Sequence, residues 1–432
     1  MRQPTLRRQS KGNFADGAAD FTNQDTSMTD DETMTHLSPA LQQIALRGVA
    51  NLPVWASEPS KCPCLDENLC LPITGPPVKP GGELFGFYGS WTNSSVLGPG
   101  RDMNWTHVTT VAWASQDDVM CLAHENGARA VIGAPSIDLD ALFLKKHRKE
   151  WIENALALVQ DTYRDGIVFD YESPLKVGSV QARTYSFLIS ETRDAFHAAN
   201  PSLQISTCVA WSPDNIDGRG YPYAEFAEAS DLLYVMDYDT RSQIFDSQCI
   251  AGPNAPFPGM VRGVERYLDL GISPSKLVLG VPWYGYRYPC LPGTSTDAVY
   301  CPIEQVPFRG VNCSDAAGVE VGYARMREVL QRTDPDISGG LRRDPNTGDP
   351  YFNSIEPNQD GDDTVYQYWF DDPISLRAKY KFAREKGLGG IGPFVFNNLD
   401  PIKAREDAME MWSSFDEFFV YLEETSPGLR IY

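Results

Sequence analysis

The chain has 432 residues, 42% of them hydrophobic and 11% aromatic, enough apolar material for one large core or two to three average domains. Its formal net charge of −21 argues against nucleic acid or an anionic membrane surface as partner, since both require basic patches. No run reaches the length of apolar residues that would span a bilayer.

Residues 1–57 open with Arg2, Arg7, Arg8 and Lys11 and turn polar and acidic through Asp30, Asp31 and Glu32, which reads as a disordered extension. They hold no apolar core of a secretory signal. Residues 58–425 read as the folded unit, with nine cysteines: Cys62, Cys64, Cys70, Cys121, Cys208, Cys249, Cys290, Cys301 and Cys313. Cys62, Cys64 and Cys70 lack the second CxxC or His pair that a zinc site needs, so disulfides are the expectation, with Cys208 the free thiol. Disulfides and the sequons at Asn93, Asn104 and Asn312 agree with export. A signal encoded upstream of Met1 is therefore expected, ahead of an atypical export route or an intracellular protein with free thiols.

From about residue 80, short β-rich runs alternate with longer helical ones. The predicted strands are Leu84–Ser90, His107–Ser115, Ala128–Pro135, Gly166–Glu172, Leu203–Trp211, Leu232–Asp239, Leu277–Tyr286 and Gly390–Asn397. Helices are predicted at Ala141–Thr162, Val180–Ala199, Met260–Leu270 and Ile374–Lys386, with a closing helix Pro401–Glu424 whose apolar face carries Met409, Met411, Trp412, Phe415 and Phe418. Eight strands with helices between them predict an α/β fold, a TIM (β/α)8 barrel. The stretch 287–368, rich in Gly, Pro and Asp, reads as an insertion between strand 7 and helix 7.

The fourth predicted strand carries the chemistry. Asp165-Gly166-Ile167-Val168-Phe169-Asp170-Tyr171-Glu172 has an apolar body and ends in two carboxylates at i, i+2. Strand side chains alternate faces, so Asp170 and Glu172 would point the same way, roughly 7 Å apart. The C-terminal end of a barrel strand is where TIM-barrel active sites lie. A paired acid and anion there suit glycosidic cleavage, with Glu172 as acid and the charge of Asp170 raising its pKa.

The octet resembles the DGxDxDxE signature of glycoside hydrolase family 18, the chitinase family. Met236-Asp237-Tyr238-Asp239 is similar to its MxYD pattern, and Trp369-Phe370-Asp371-Asp372-Pro373-Ile374-Ser375 to the segment entering its seventh helix. Cys62-Pro63-Cys64, Ala210-Trp211-Ser212-Pro213, Gly280-Val281-Pro282-Trp283-Tyr284-Gly285-Tyr286 and Val306-Pro307-Phe308-Arg309-Gly310 resemble an exo-acting, lysosomal branch of that family. The resemblance spans about residues 62 to 412.

The resemblance implies substrate-assisted, retaining hydrolysis of β-1,4-linked N,N′-diacetylchitobiose units, exo from the reducing end. Glu172 would be the acid/base, Asp170 would orient the substrate acetamido N–H, and Tyr238 would bond its carbonyl. Asp239, Met236, Trp211, Trp283, Tyr284 and Phe394 are expected to line the sugar. No metal or cofactor is implied, and the protein is expected to be a lysosomal or extracellular monomer. Two positions depart from the family. Val168 replaces the inner Asp, so an Asp170 that stays ionised is expected. Phe394 stands where the family has a tryptophan under the sugar, which predicts weaker binding. The rival readings are an endo-chitinase and a chitin- or glycan-binding lectin on the same barrel. Lectin relatives lose the acid, and Glu172 is present.

Overall fold

The computed structural model describes residues 61–89, 98–246, 248–331, 337–358 and 361–419. Residues 1–60, Asn93 and the end of the predicted closing helix lie outside them. Eight parallel strands close a barrel: β1 (Glu83–Phe87), β2 (Thr110–Ala112), β3 (Arg129–Gly133), β4 (Gly166–Phe169), β5 (Gln204–Ala210), β6 (Leu232–Met236), β7 (Leu277–Pro282) and, last in the chain, a strand at Gly390–Phe394. That last strand pairs in parallel with both β1 and β7, as closure requires. Seven of the eight fall within a predicted one, and β1 begins one residue ahead of its predicted range.

Alternation along the strands sorts two apolar clusters. Phe85, Phe87, Val131, Val168, Cys208, Tyr234 and Val278 fill the barrel interior. Leu84, Val111, Ile167, Phe169, Ile205, Val209 and Leu279 face the outer helices instead. Gly280 has no side chain because a Cβ there would stand 2.3 Å from the Tyr234 ring crossing the interior.

Helices at Val180–Ala199, Phe257–Asp269 and Pro373–Glu385 pack outside, close to their predicted ranges. The last is started by Asp372, whose Oδ1 accepts from the backbone N–H of Ile374 and Ser375 in a reciprocal cap with Ser375. The closing helix departs from expectation. It runs Arg405–Ser413, turns, and is helical again at Asp416–Phe419; Met409, expected on its apolar face, is exposed.

The predicted seventh strand is two. It breaks at Trp283, and a new strand, β8 (Tyr284–Pro289), enters a separate antiparallel sheet. This sheet also contains β9 (Val319–Gly322), β10 (Ile337–Arg343), β11 (Pro350–Pro357) and β12 (Asp363–Trp369), in the order β10-β11-β12-β8-β9. The final barrel strand is thus β13. The insertion on the seventh strand therefore has a sheet of its own, which leads from the barrel mouth and returns to the helix at Pro373.

Four disulfides join Cys62–Cys70, Cys64–Cys121, Cys249–Cys313 and Cys290–Cys301, leaving Cys208 as a buried free thiol. The first closes a loop within the start of the described chain, and the second ties that segment to the helix Asp117–Glu125. His124 assists there: its Nε2 lies 2.7 Å from Asp165 and its Nδ1 2.6 Å from the Leu69 carbonyl. Among the described residues, no helix is long and apolar enough to cross a membrane.

Candidate active site

β4 ends at Phe169, so Asp170 and Glu172 stand on the loop beyond it rather than on the strand itself. Their environments differ sharply. Asp170 keeps the inward direction of Val168, and its Oδ1 is closed off from solvent without a hydrogen-bond partner. Burial, then the neighbouring Glu172, push its pKa up to about 7, while the Cys208 thiol and Arg219 oppose the rise. This corrects one expectation: despite Val168, Asp170 is drawn toward its neutral form, with burial in place of the missing carboxylate as the leading cause.

Glu172 points outward, its side chain 55% exposed, and pairs with Arg219 through Nη1–Oε2 at 2.9 Å. It is thus reachable by substrate while Asp170 sits behind it. Arg219 also holds Asp217 at 3.3 Å.

Tyr238 and Asp239 follow β6. Tyr238 shares the inward direction of Tyr234 and Met236, and its ring stacks on Phe394 with centroids 5.2 Å apart. Phe394, at the end of β13, also meets Trp113, Phe87 and Tyr284. These rings make an apolar floor beside Asp170. Asp239 adopts φ +52° and accepts from the Tyr284 hydroxyl at 2.6 Å and the Tyr286 hydroxyl at 2.9 Å. Burial, then Asp315 and Glu320, push its pKa up to about 8 against those two donors. Met236 is buried at the strand end just below.

Two residues expected at the sugar lie elsewhere, for one physical reason. Trp283 continues the outward set of Leu279 and Val281. It is fully buried, stacked on Phe415 at 5.4 Å and edge-on to Trp412 at 5.3 Å. Trp211 continues the outward set of Val209 and faces the helix Phe257–Asp269, where a Cβ on Gly263 would meet its carbonyl at 2.0 Å. Neither ring reaches the barrel mouth, so their expected sugar contact is withdrawn. Trp283→Ala is accordingly expected to cost ~3–5 kcal/mol in denaturant unfolding, with KM of the folded enzyme unchanged. A raised KM at unchanged stability would return Trp283 to the site.

Sequence reasoning missed Trp113, which left-handed backbone (φ +56°) takes out of the alternation after β2 and sets against Phe394. It also missed Arg219, whose partner Glu172 lies 47 residues away in the chain. No local signal marks either. An open cavity of ≈ 760 Å³ flanks the mouth between Ser136–Asp140 and Tyr171–Gln181. Its wall reaches the site through Tyr171 and includes none of Asp170, Glu172 or Tyr238.

The Cys62, Cys64 and Cys70 sulfurs cluster closely enough to suggest a metal, but all three are in disulfides and have no thiolate to offer.

Comparison with known proteins gives this geometry its context. Residues 132–397 match the family Glycosyl hydrolases family 18. The chain is 39% identical over 366 residues to "Probable di-N-acetylchitobiase 2" of Dictyostelium discoideum, covering 83% of this chain and 91% of that one. It is 39% identical over 357 residues to "Di-N-acetylchitobiase" of Homo sapiens, covering 81% and 87%. The solved group IV chitinase of Ostrinia furnacalis in complex with allosamidin superposes with a TM-score of 0.61 at 20% identity, over 80% of this chain and all of that one.

Proposed function

This chain belongs to glycosyl hydrolase family 18, and from that premise we propose that it cleaves the β-1,4 bond of N,N′-diacetylchitobiose units, exo from the reducing end. It is a glycosidase acting on chitin-type oligosaccharides. The observation that carries the finer reading is the division of labour between the two carboxylates. Glu172 is exposed at the mouth, and Asp170 sits half-buried behind it with its Oδ1 closed off from solvent, beside the aromatic floor.

Glu172, protonated, gives its proton to the glycosidic oxygen as the C1–O bond breaks. The carbonyl oxygen of the substrate's own N-acetyl group forms a bond to C1, giving an oxazolinium ion. Asp170 in its ionised form accepts the acetamido N–H and balances the cation, and the Tyr238 hydroxyl donates to the acetamido carbonyl. Water then attacks C1, breaking the bond to the acetamido oxygen, and yields its proton to Glu172, so configuration is retained. Sugar packs on Phe394 and Trp113, with Met236 below and Asp239 held by Tyr284 and Tyr286. The protein works as a monomer in a lysosomal or extracellular setting, supported by the four disulfides. The Asn104 and Asn312 side chains, both sequons, belong to exposed residues open to glycosylation.

The direct test is GlcNAc release from diacetylchitobiose at acidic pH; none from the folded protein would refute the proposal. Tyr238→Phe removes one hydroxyl and leaves the ring stack. It is expected to lower kcat by about 10- to 100-fold with KM little changed, because the lost bond strengthens as the acetamido oxygen is drawn to C1. A pure KM effect would place Tyr238 outside the chemistry.

A further inference from the structure

The outer side of Glu172 is not open groove. Four segments meet there through side chains that the sugar floor does not use. Arg219, beyond β5, donates to Glu172 Oε2 at 2.9 Å and to Asp217 Oδ2 at 3.3 Å. Arg309, carried in from the insertion, donates to the Asp217 carbonyl at 2.6 Å and to the Glu172 carbonyl at 3.2 Å. From the loop after β6, Gln243 donates to the Arg309 carbonyl at 3.2 Å and accepts from the Asp217 N–H at 3.2 Å, and Ser242 donates to Asp217 Oδ1 at 2.8 Å.

The backbone is built to hold this knot. Leu175 bridges Arg219 in parallel, and a Cβ on Gly220 would stand 2.8 Å from the Leu175 carbonyl, so the loops after β4 and β5 run in contact. The Cys249–Cys313 disulfide and the Ile244–Cys313 bridge fasten the loop after β6 to the insertion. Arg309 itself adopts φ +44°, a conformation a non-glycine side chain keeps only where its surroundings enforce it.

We infer that this knot, with Arg309 as its clasp, is the specificity device that limits the leaving side of the site to a single sugar. The inference rests on the exo reading proposed above. The sugar that is attacked lies over Tyr238, Phe394 and Asp170, near the barrel axis. Glu172 protonates the bond at the rim of that floor, so the leaving sugar lies beyond it, above the loops after β4 and β5. There the clasped loops stand in the path of a second leaving-side residue. An enzyme that cuts within a chain needs that path open; one that removes the terminal residue does not.

The test uses chitotetraose carrying ¹⁸O at its reducing-end anomeric carbon, with the first labelled product identified by mass. Wild-type protein releases labelled monosaccharide. Arg309→Ala is expected to raise the ratio of labelled disaccharide to labelled monosaccharide by about tenfold, the scale of discrimination one steric contact gives. The ratio is read within each variant, so it does not depend on how fast that variant turns over. Gln243→Ala, which frees the Arg309 carbonyl, should move it the same way and stands in should Arg309→Ala fail to fold. Monosaccharide release unchanged in both variants overturns the clasp and leaves the exo reading intact. Labelled disaccharide from wild type overturns the exo reading itself, and would send the leaving chain toward the cavity at Ser136–Asp140.

Discussion

Glu172→Gln is expected to lower kcat on diacetylchitobiose by about 10²- to 10⁴-fold, the range in which a positioned acid/base contributes. The substitution keeps the shape and can still accept from Arg219, so the site should bind sugar as before. Stability should hardly change. The carboxylate is 55% exposed, and ion pairs in such positions are worth ~0–1 kcal/mol. Turnover by the parent and binding without turnover by the variant would separate a glycosidase from a sugar-binding protein on the same barrel. Equal turnover in both would remove Glu172 from the chemistry, and binding without turnover in both would identify a lectin.

Lys379→Met is expected to destabilise the protein by ~3–5 kcal/mol near neutral pH, because removing one partner of a buried charge set leaves the others uncompensated. Lys379 is fully buried on the helix Pro373–Glu385, 2.8 Å from Asp371 and 3.8 Å from Asp349, and it donates to the Ala255 carbonyl. Asp237, the residue before Tyr238, is buried in the same field. The ammonium therefore ties the barrel, the insertion sheet and the segment carrying Tyr238 to one point.

The loss should also depend on pH. Burial, opposed by Lys379, pushes Asp237 and Asp349 up to about 7. Unfolded, each would ionise near 3.8. Between those values the unfolded chain binds fewer protons than the fold, so stability declines as pH rises and is highest on the acid side. Asp170 and Asp239 add to the same trend. Wild type should thus melt higher at pH 5 than at pH 8, and the penalty of Lys379→Met should grow over that interval. Denaturant unfolding at the two pH values reads both. A penalty equal at each pH would show that the aspartates do not titrate against this lysine.

Much of the architecture was legible because strands and helices announce themselves through local period, and the eight barrel strands and the helix at Val180–Ala199 follow it. What misled was the same period applied without its phase. Trp211 and Trp283 stand one residue past inward positions, so they face helices, although the alternation from Val209 and Val281 was there to read. Trp113 is the converse case, where a left-handed residue breaks the alternation and turns a ring toward the floor. The insertion was visible as a gap in the pattern, whereas its five-stranded order depends on antiparallel pairings between distant segments.

Patterning, spacing and residue type within short stretches were enough to give the barrel and the free Cys208, and to single out Asp170 and Glu172 as the candidate carboxylates. What those carboxylates experience is set by the folded chain. Asp170 is pushed toward neutrality by an interior assembled from several strands, and Glu172 is held by Arg219 from a loop beyond the next one. Proton affinity is a property of surroundings, and those surroundings come from parts of the chain that meet only when the barrel closes.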